Sequence, residues 1–279
     1  ILPLYSKYMS VSDYGIISAM ETLSIVLSAF ICLSIDKAGH RLYFDQKTED
    51  EKKGFLSTLY ITSIIITVII FTALIFSRSF INLLFESIAF YPFFMIAILN
   101  VCLNTFSLIP TMFYQITEQP IKYMYLKISR FSLQILLIFY FVVFERMGAL
   151  GHLIAESICL LIFLPIYIGI CLKNFGYTFD YKYLKGVFNF AIPLIPTLLI
   201  AWILTLSDRV FIEKILDLTE LGSYSMSYRI SMIYILFTGS FMLAYTPFFY
   251  KTASDGDIGE INNRLKKITL LIVCLFLFL

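Results

Sequence analysis

Charge and histidine are scarce in this chain. Only 14% of its 279 residues are charged, against about 25% in soluble domains. The two histidines, His40 and His152, stand far apart, and Cys32, Cys102, Cys159, Cys171 and Cys274 occur singly, with no CxxC pair. That spacing argues against a clustered zinc site and a disulfide framework, and points to free, buried thiols. No GxxxxGK[ST] loop occurs, so ATP is not bound by that device. The net charge of +2 is too small to suggest nucleic acid, and no cofactor is called for. An initiator methionine is missing too. The chain opens at Ile1 on what reads as the tail of a helix and stops inside ITLLIVCLFLFL, so both ends are expected to be truncated.

Apolar sequence is what the chain has in excess. Hydrophobic residues make up 59% and mean hydropathy is +0.86. The runs are about 20 residues long, the length that crosses a bilayer. Counting the remnant 1–4 as the first span, the expected spans are about 14–35, 54–76, 91–113, 131–144 with a start several residues earlier, 152–172, a proline-bearing seventh after Lys185, 224–248, and a partial ninth. Residues 79–90 read as an interfacial piece or the start of span four. The polar stretch KNFGYTFDYKYLKG divides the chain into an N-terminal lobe (1–171), a linker (172–186) and the start of a C-terminal lobe (187–279). Fifteen basic residues fall in loops after even-numbered spans, among them Lys37, Lys122, Lys182 and Lys266. The opposite side holds five, and Arg229 lies inside a span. The positive-inside rule therefore puts the charged loops in the cytoplasm.

The stretch PLIPTLLIAWILTLSDRVFIEKILDLTELGSYSMSYRI (193–230) organises the rest. It is a hydrophobic hairpin with charge inside it, read as turning at Leu221 and Gly222. Ionisable residues within membrane segments point to function by default, because their burial in lipid is costly. Aligning Gly15 with Gly222 superposes LYSKYMSVSDYGIIS on FIEKILDLTELGSYS at one offset without gaps, matching Lys7 with Lys214, Val11 with Leu218, Asp13 with Glu220 and Ser18 with Ser225. Two helix starts capped alike would show part of this pattern. An internal repeat explains it as well. Six spans separate the copies, an even number, so the repeat is parallel, with its axis along the membrane normal. Lys52 and Lys53 before span three, like Lys266 and Lys267 before span nine, fit the same duplication. At least twelve spans are then expected, and residues 1–279 alone should not transport.

The turn LYSKYMSVSDYG, the PLIP opening of span seven and SDRVFIEKILDLTELGSYSMSYRI resemble the polysaccharide or O-antigen flippases of the multidrug, oligosaccharidyl-lipid and polysaccharide exporter superfamily. The resemblance implies an all-α polytopic membrane protein whose two six-helix lobes form a V, the second lobe being truncated here. It implies transfer of an undecaprenyl-diphosphate-linked oligosaccharide from the cytoplasmic to the outer leaflet of the bacterial inner membrane. It also implies a cavity lined by spans one, two, seven and eight, which brings in Glu21, Asp208, Arg209 and Arg229.

Arginine suits a diphosphate, since its planar fork donates paired hydrogen bonds and keeps its charge when desolvated. Arg229 lies seven residues past Gly222, about 10 Å along a helix, where substrate contact competes with snorkelling or a structural ion pair. Arg209 is the second candidate for substrate binding. Asp208 and Glu21 are candidates for coupling or gating, with a proton or sodium as the coupling ion; Asp208 and Arg209, being adjacent, need partners other than each other. Glu156 is a further carboxylate able to carry a proton, or to pair with His152 one turn away. Asn100, Asn104 and Ser107 form a polar stripe suited to interhelical hydrogen bonds. Expected partners are the lipid-linked oligosaccharide, membrane lipids and the polysaccharide polymerase machinery. Two other functions compete: a cation-coupled drug antiporter, expected to have a more acidic cavity, and a membrane-embedded polysaccharide enzyme, which the short outward loops and separated histidines disfavour.

Overall fold

The computed structural model describes residues 2–76, 88, 90–232 and 266. Among them the chain is helical throughout. In hydrocarbon every backbone N–H and C=O must be satisfied internally, and a helix does so within one segment. Six helical segments are long and apolar enough to span a membrane: Val11–Cys32, Glu49–Ile75, Phe90–Ile116, Pro120–Phe144, Gly148–Asn174 and Lys182–Ile215. The protein is an all-α, polytopic membrane protein. Spans eight and nine, residues 79–87 and the basic loop after span eight lie outside the described residues or nearly so.

Helix α1 (Leu2–Tyr8) leads into α2 (Val11–Cys32). Ser10 caps α2: its Oγ accepts the N–H of Asp13 at 3.0 Å, and the Asp13 carboxylate accepts the N–H of Ser10 at 3.3 Å. This reciprocal box satisfies two amides that the first helical turn leaves unpaired. Leu33 and Ser34 take left-handed backbone and redirect the chain into the short α3 (Ile35–Leu42). Next comes α4 (Glu49–Phe76), which handles its hydroxyls locally: Thr58, Thr62 and Thr67 each donate to the carbonyl four residues back at 2.7 Å.

A π turn at Phe90–Phe94 opens α5 (Met95–Thr105), and a break at Phe106 and Ser107 separates it from α6 (Leu108–Ile116). Pro110 explains the break, for its missing N–H and its ring disrupt the turn ending at Phe106. Helix α7 (Pro120–Phe139) starts on proline at its first position, where no N–H is needed. Lys122, Lys127 and Arg130 therefore ride on the helix itself. The sequence reading had placed them in a loop. Helix α8 (Gly148–Asn174) follows, then α9 (Lys182–Ala191), a 3-10 turn at Ile192–Leu194 and α10 (Ile195–Ile215).

The hairpin then differs from the expected one. Its turn falls at Leu216 and Asp217, and α11 (218–232) begins at Leu218 with Asp217 as its cap, Oδ1 accepting the N–H of Glu220 at 2.8 Å. Leu221 and Gly222 lie inside α11, where the absence of a Cβ serves packing.

Residues Ile1–Ser225 form one compact unit and Met226–Leu279 another. In the first, one apolar core runs along α2, with Met20, Leu23, Leu27 and Ile31 packed on Phe94, Ile98 and Leu153. A second gathers α3, the start of α4, the ends of α6 and α8, and α9, around Ile35, Leu59, Tyr60, Met112 and Val187. Large apolar side chains such as Ile121, Phe131, Leu136 and Leu204 point outward, as a lipid-facing surface requires.

The polar stretch after α8 is stitched to α4. Ser57 Oγ donates to the Gly176 carbonyl at 3.1 Å and accepts the N–H of Thr178 at 2.6 Å; Thr58 Oγ1 accepts the N–H of Asp180 at 3.0 Å. Asp180 also pairs with Lys182 at 2.9 Å, which holds its carboxyl below the usual range. Replacing Ser57 by Ala removes two of these links, and limited proteolysis in detergent is expected to cut between Phe175 and Tyr181 several-fold faster than in the wild type.

Candidate functional site

The two repeat copies meet face to face in the first unit. A Cβ built on Gly15 would collide with the carbonyl oxygen of Leu218 and stand 3.2 Å from the amide nitrogen of Gly222. One built on Gly222 would collide with the carbonyl oxygen of Val11 and stand 3.0 Å from Val11 Cγ1. Backbone touches backbone here, which small residues alone permit and which drives helix association in lipid. One turn further, the hydroxyls of Ser18 and Ser225 are 2.6 Å apart and fully buried.

Arg209 of α10 joins the same point. It is 6% exposed, and its Nη1 donates to Ser18 Oγ at 3.2 Å. Glu213, one turn along α10 on the same face, is also buried. Asp208 braces the hairpin from the other side: Oδ1 accepts the N–H of Arg209 at 2.8 Å, and Oδ2 accepts the hydroxyl of Tyr224. Asp208 and Arg209 thus face different partners. Arg229 is half-buried on α11 and belongs to the second unit.

A second polar cluster lies between α2, α5, α7 and α8. Asn100 donates from Nδ2 to the Leu153 carbonyl at 3.1 Å and to Glu156 Oε2 at 3.3 Å, and its Oδ1 accepts the Ser157 hydroxyl at 2.6 Å. Glu156 also lies within electrostatic reach of Arg130 and Glu21. The two carboxylates singled out as proton carriers therefore act electrostatically on one another, and Arg130 acts on Glu156. His152 has Tyr5 as a partner, Nδ1 to the hydroxyl at 2.6 Å. On the same helix end, Asp13 Oδ1 accepts the N–H of Ala149 at 3.2 Å.

Of the polar stripe on span four, Asn100 bonds across to α8 as expected, while Asn104 and Ser107 bond to each other locally, the Asn104 carbonyl accepting the Ser107 hydroxyl at 2.7 Å. Substituting Asn100 by Leu removes a hydrogen bond to the Glu156 carboxylate and leaves the Ser157 hydroxyl only its bond to the Leu153 carbonyl. Unmade buried hydrogen bonds cost about 1–3 kcal/mol each, so the variant in detergent is expected to melt at least several degrees below wild type.

Residue-by-residue reading did not single out Ser18, Ser225 or Arg130 as site residues. Ser18 and Ser225 were matched in the repeat, and that match was the available signal. Arg130 offered none, since three basic residues after a proline read as a loop.

These helices define a polytopic membrane protein built around a doubled hairpin. The sequence model of the polysaccharide biosynthesis protein family matches residues 6–278, and the chain belongs to that family. Membership places it in polysaccharide synthesis or export. No curated protein and no solved structure matches the chain.

Proposed function

We propose that this protein is a flippase that moves an undecaprenyl-diphosphate-linked oligosaccharide from the cytoplasmic to the outer leaflet of the bacterial inner membrane by alternating access. The observation that carries the reading is the contact between two copies of one hairpin in a chain of the polysaccharide biosynthesis family. Transporters are commonly built from such repeats, with the path at the repeat interface. In this reading the basic loops face the cytoplasm, the chain is not an enzyme, and it passes its cargo to the polysaccharide polymerase machinery.

Arg229 is the arginine we assign to the cargo's diphosphate. Arg209 and Asp208 hold the hairpin in the conformation described, and Arg209 becomes available to an anion only when its bond to Ser18 opens. We assign coupling to a proton or a cation to Glu21 and Glu156, acidic residues of α2 and α8 whose charges bear on one another. The same pair supports a second reading, a cation-coupled drug antiporter.

A strain lacking its own surface-polysaccharide flippase separates them. Expression of the full-length gene product is expected to restore surface glycan, and Arg229→Ala at matched membrane level to lose it. Restoration by both demotes Arg229 to structure. Restoration by neither, in a strain making the matching glycan, moves the antiporter ahead.

A further inference from the structure

Tyr123, Lys127, Arg130 and Gln134 follow one another on α7 at intervals of four, three and four residues, so they line one face of that helix. The face borders the contact with α8, because Leu126, Leu133 and Leu137 beside it pack on Cys159, Phe163 and Tyr167. Lys127 is exposed and Arg130 half-buried. The segment Pro120–Phe144 is long and apolar enough to span a membrane. At about 1.5 Å per residue, Lys127 and Arg130 lie roughly 10 and 15 Å from its Pro120 end. Charge at such depth in a membrane helix calls for a partner.

The two cations are provided for differently. Arg130 acts electrostatically on Glu156 and lies beside the Tyr167 hydroxyl, both on α8. Lys127 holds its ammonium 5.7 Å from the centre of the Tyr123 ring, and the charge that bears on it is Arg130, one turn away and of the same sign. The ion pairs among the described residues are Arg41–Asp45, Lys52–Glu49 and Lys182–Asp180, and none involves α7. Glu118, exposed just before the helix, takes part in none of them. Alongside the polar stripe runs an apolar one at the same spacing: Met124, Ile128 and Phe131 are all exposed.

We propose that Lys127 and Arg130, with Tyr123, form a headgroup site for an anionic phospholipid in the leaflet that meets the Pro120 end of α7. The lipid phosphate sits between two cations one turn apart and relieves their repulsion. Lys127 reaches it by laying its stem along the helix while its ammonium turns toward the headgroup layer. The acyl chains lie on Met124, Ile128 and Phe131. Polar and apolar stripes side by side match the two parts of a phospholipid, which a soluble anion does not have. Basic residues between spans are a recurrent means of holding such headgroups. The inference is independent of what the protein transports.

Native mass spectrometry of the detergent-solubilised full-length gene product, titrated with phosphatidylglycerol or phosphatidylcholine, tests this. The first phosphatidylglycerol is expected to bind at least tenfold more tightly than phosphatidylcholine. Lys127→Gln should weaken it about fivefold, the share of one basic residue near an anionic surface, and Lys127→Arg should retain it. Lys122→Gln is the control. Lys122 lies at the same end of α7 but is turned about 140° from Lys127, and its loss should leave phosphatidylglycerol binding unchanged. Without added lipid, Lys127→Gln should melt with the wild type. A lower melting temperature assigns Lys127 to packing and overturns the proposal. Equal affinity for the two lipids, or phosphatidylglycerol binding that survives Lys127→Gln, overturns it as well. So does a variant that loses undecaprenyl diphosphate but keeps phosphatidylglycerol, which gives this face to the cargo.

Discussion

Gly15→Ala and Gly222→Ala are each expected to abolish most transport, and by nearly the same amount. The added Cβ meets a backbone carbonyl in both cases, and a carbonyl in a helix cannot swing aside as the end of a long side chain can. Overpacking costs about 1–3 kcal/mol; with backbone on the far side the upper end applies, and about 3 kcal/mol is more than a hundredfold in the population of the closed contact. The two variants share one contact, so the double variant should cost clearly less than the sum of the singles. Surface glycan at matched membrane level, together with melting in detergent, checks all three. Two singles that differ widely, or a strictly additive double, would mean that the copies do not share one interface. Gly169 is the control. Nothing lies within 4 Å of a Cβ there, and Gly169→Ala should be silent.

Arg209→Ala is the second large effect. It removes a bond from a charged group to a buried hydroxyl, a kind of interaction worth about 1.5–3 kcal/mol, so transport is expected to fall between tenfold and a hundredfold. Lysine should restore little of it, because an ammonium on a flexible stem does not reproduce the fixed guanidinium fork. The readout that assigns the role is stability. A bond that holds α2 to α10 lowers the melting temperature when it is lost, whereas an arginine that only binds cargo leaves melting unchanged and weakens cargo binding alone. Asp208→Asn offers a graded comparison, since its amide oxygen can accept from only one of the Arg209 N–H and the Tyr224 hydroxyl and the charge is lost.

Spans two to seven were legible because they depend on patterns along the chain. Apolar runs of bilayer length are counted directly, and a hydroxyl residue (Ser12 and Thr219), an acidic residue, a glycine and a serine at one offset suggest a copied turn. What the offset could not show is what the glycines are for. Leu221 and Gly222 resemble a chain reversal, yet Asp217 starts the helix and Gly222 sits inside it, its bare Cα required by the backbone of Val11.

The start of span five was obscured for another reason. Lys122, Lys127 and Arg130 suggest a loop, but long basic stems lie along apolar surface while their charged ends reach polar surroundings, so charge did not end the helix. Glu21 and Glu156 were each recognisable as costly, and their proximity was not, because it depends on how spans two and six pack. Asn100 is similar. Its position on the polar stripe was evident, and its three partners on α8 were not.

The most direct test of the account is translocation by the purified full-length gene product in sealed vesicles. Lipid-diphosphate oligosaccharide is placed in both leaflets, and its accessibility to an added glycosidase is followed over time. The account predicts that the wild-type protein makes the inner-leaflet half accessible, and that Arg229→Ala and Gly222→Ala protect it. Protection with the wild-type protein equal to that in empty vesicles, at matched protein content and with cargo from the native organism, would contradict it.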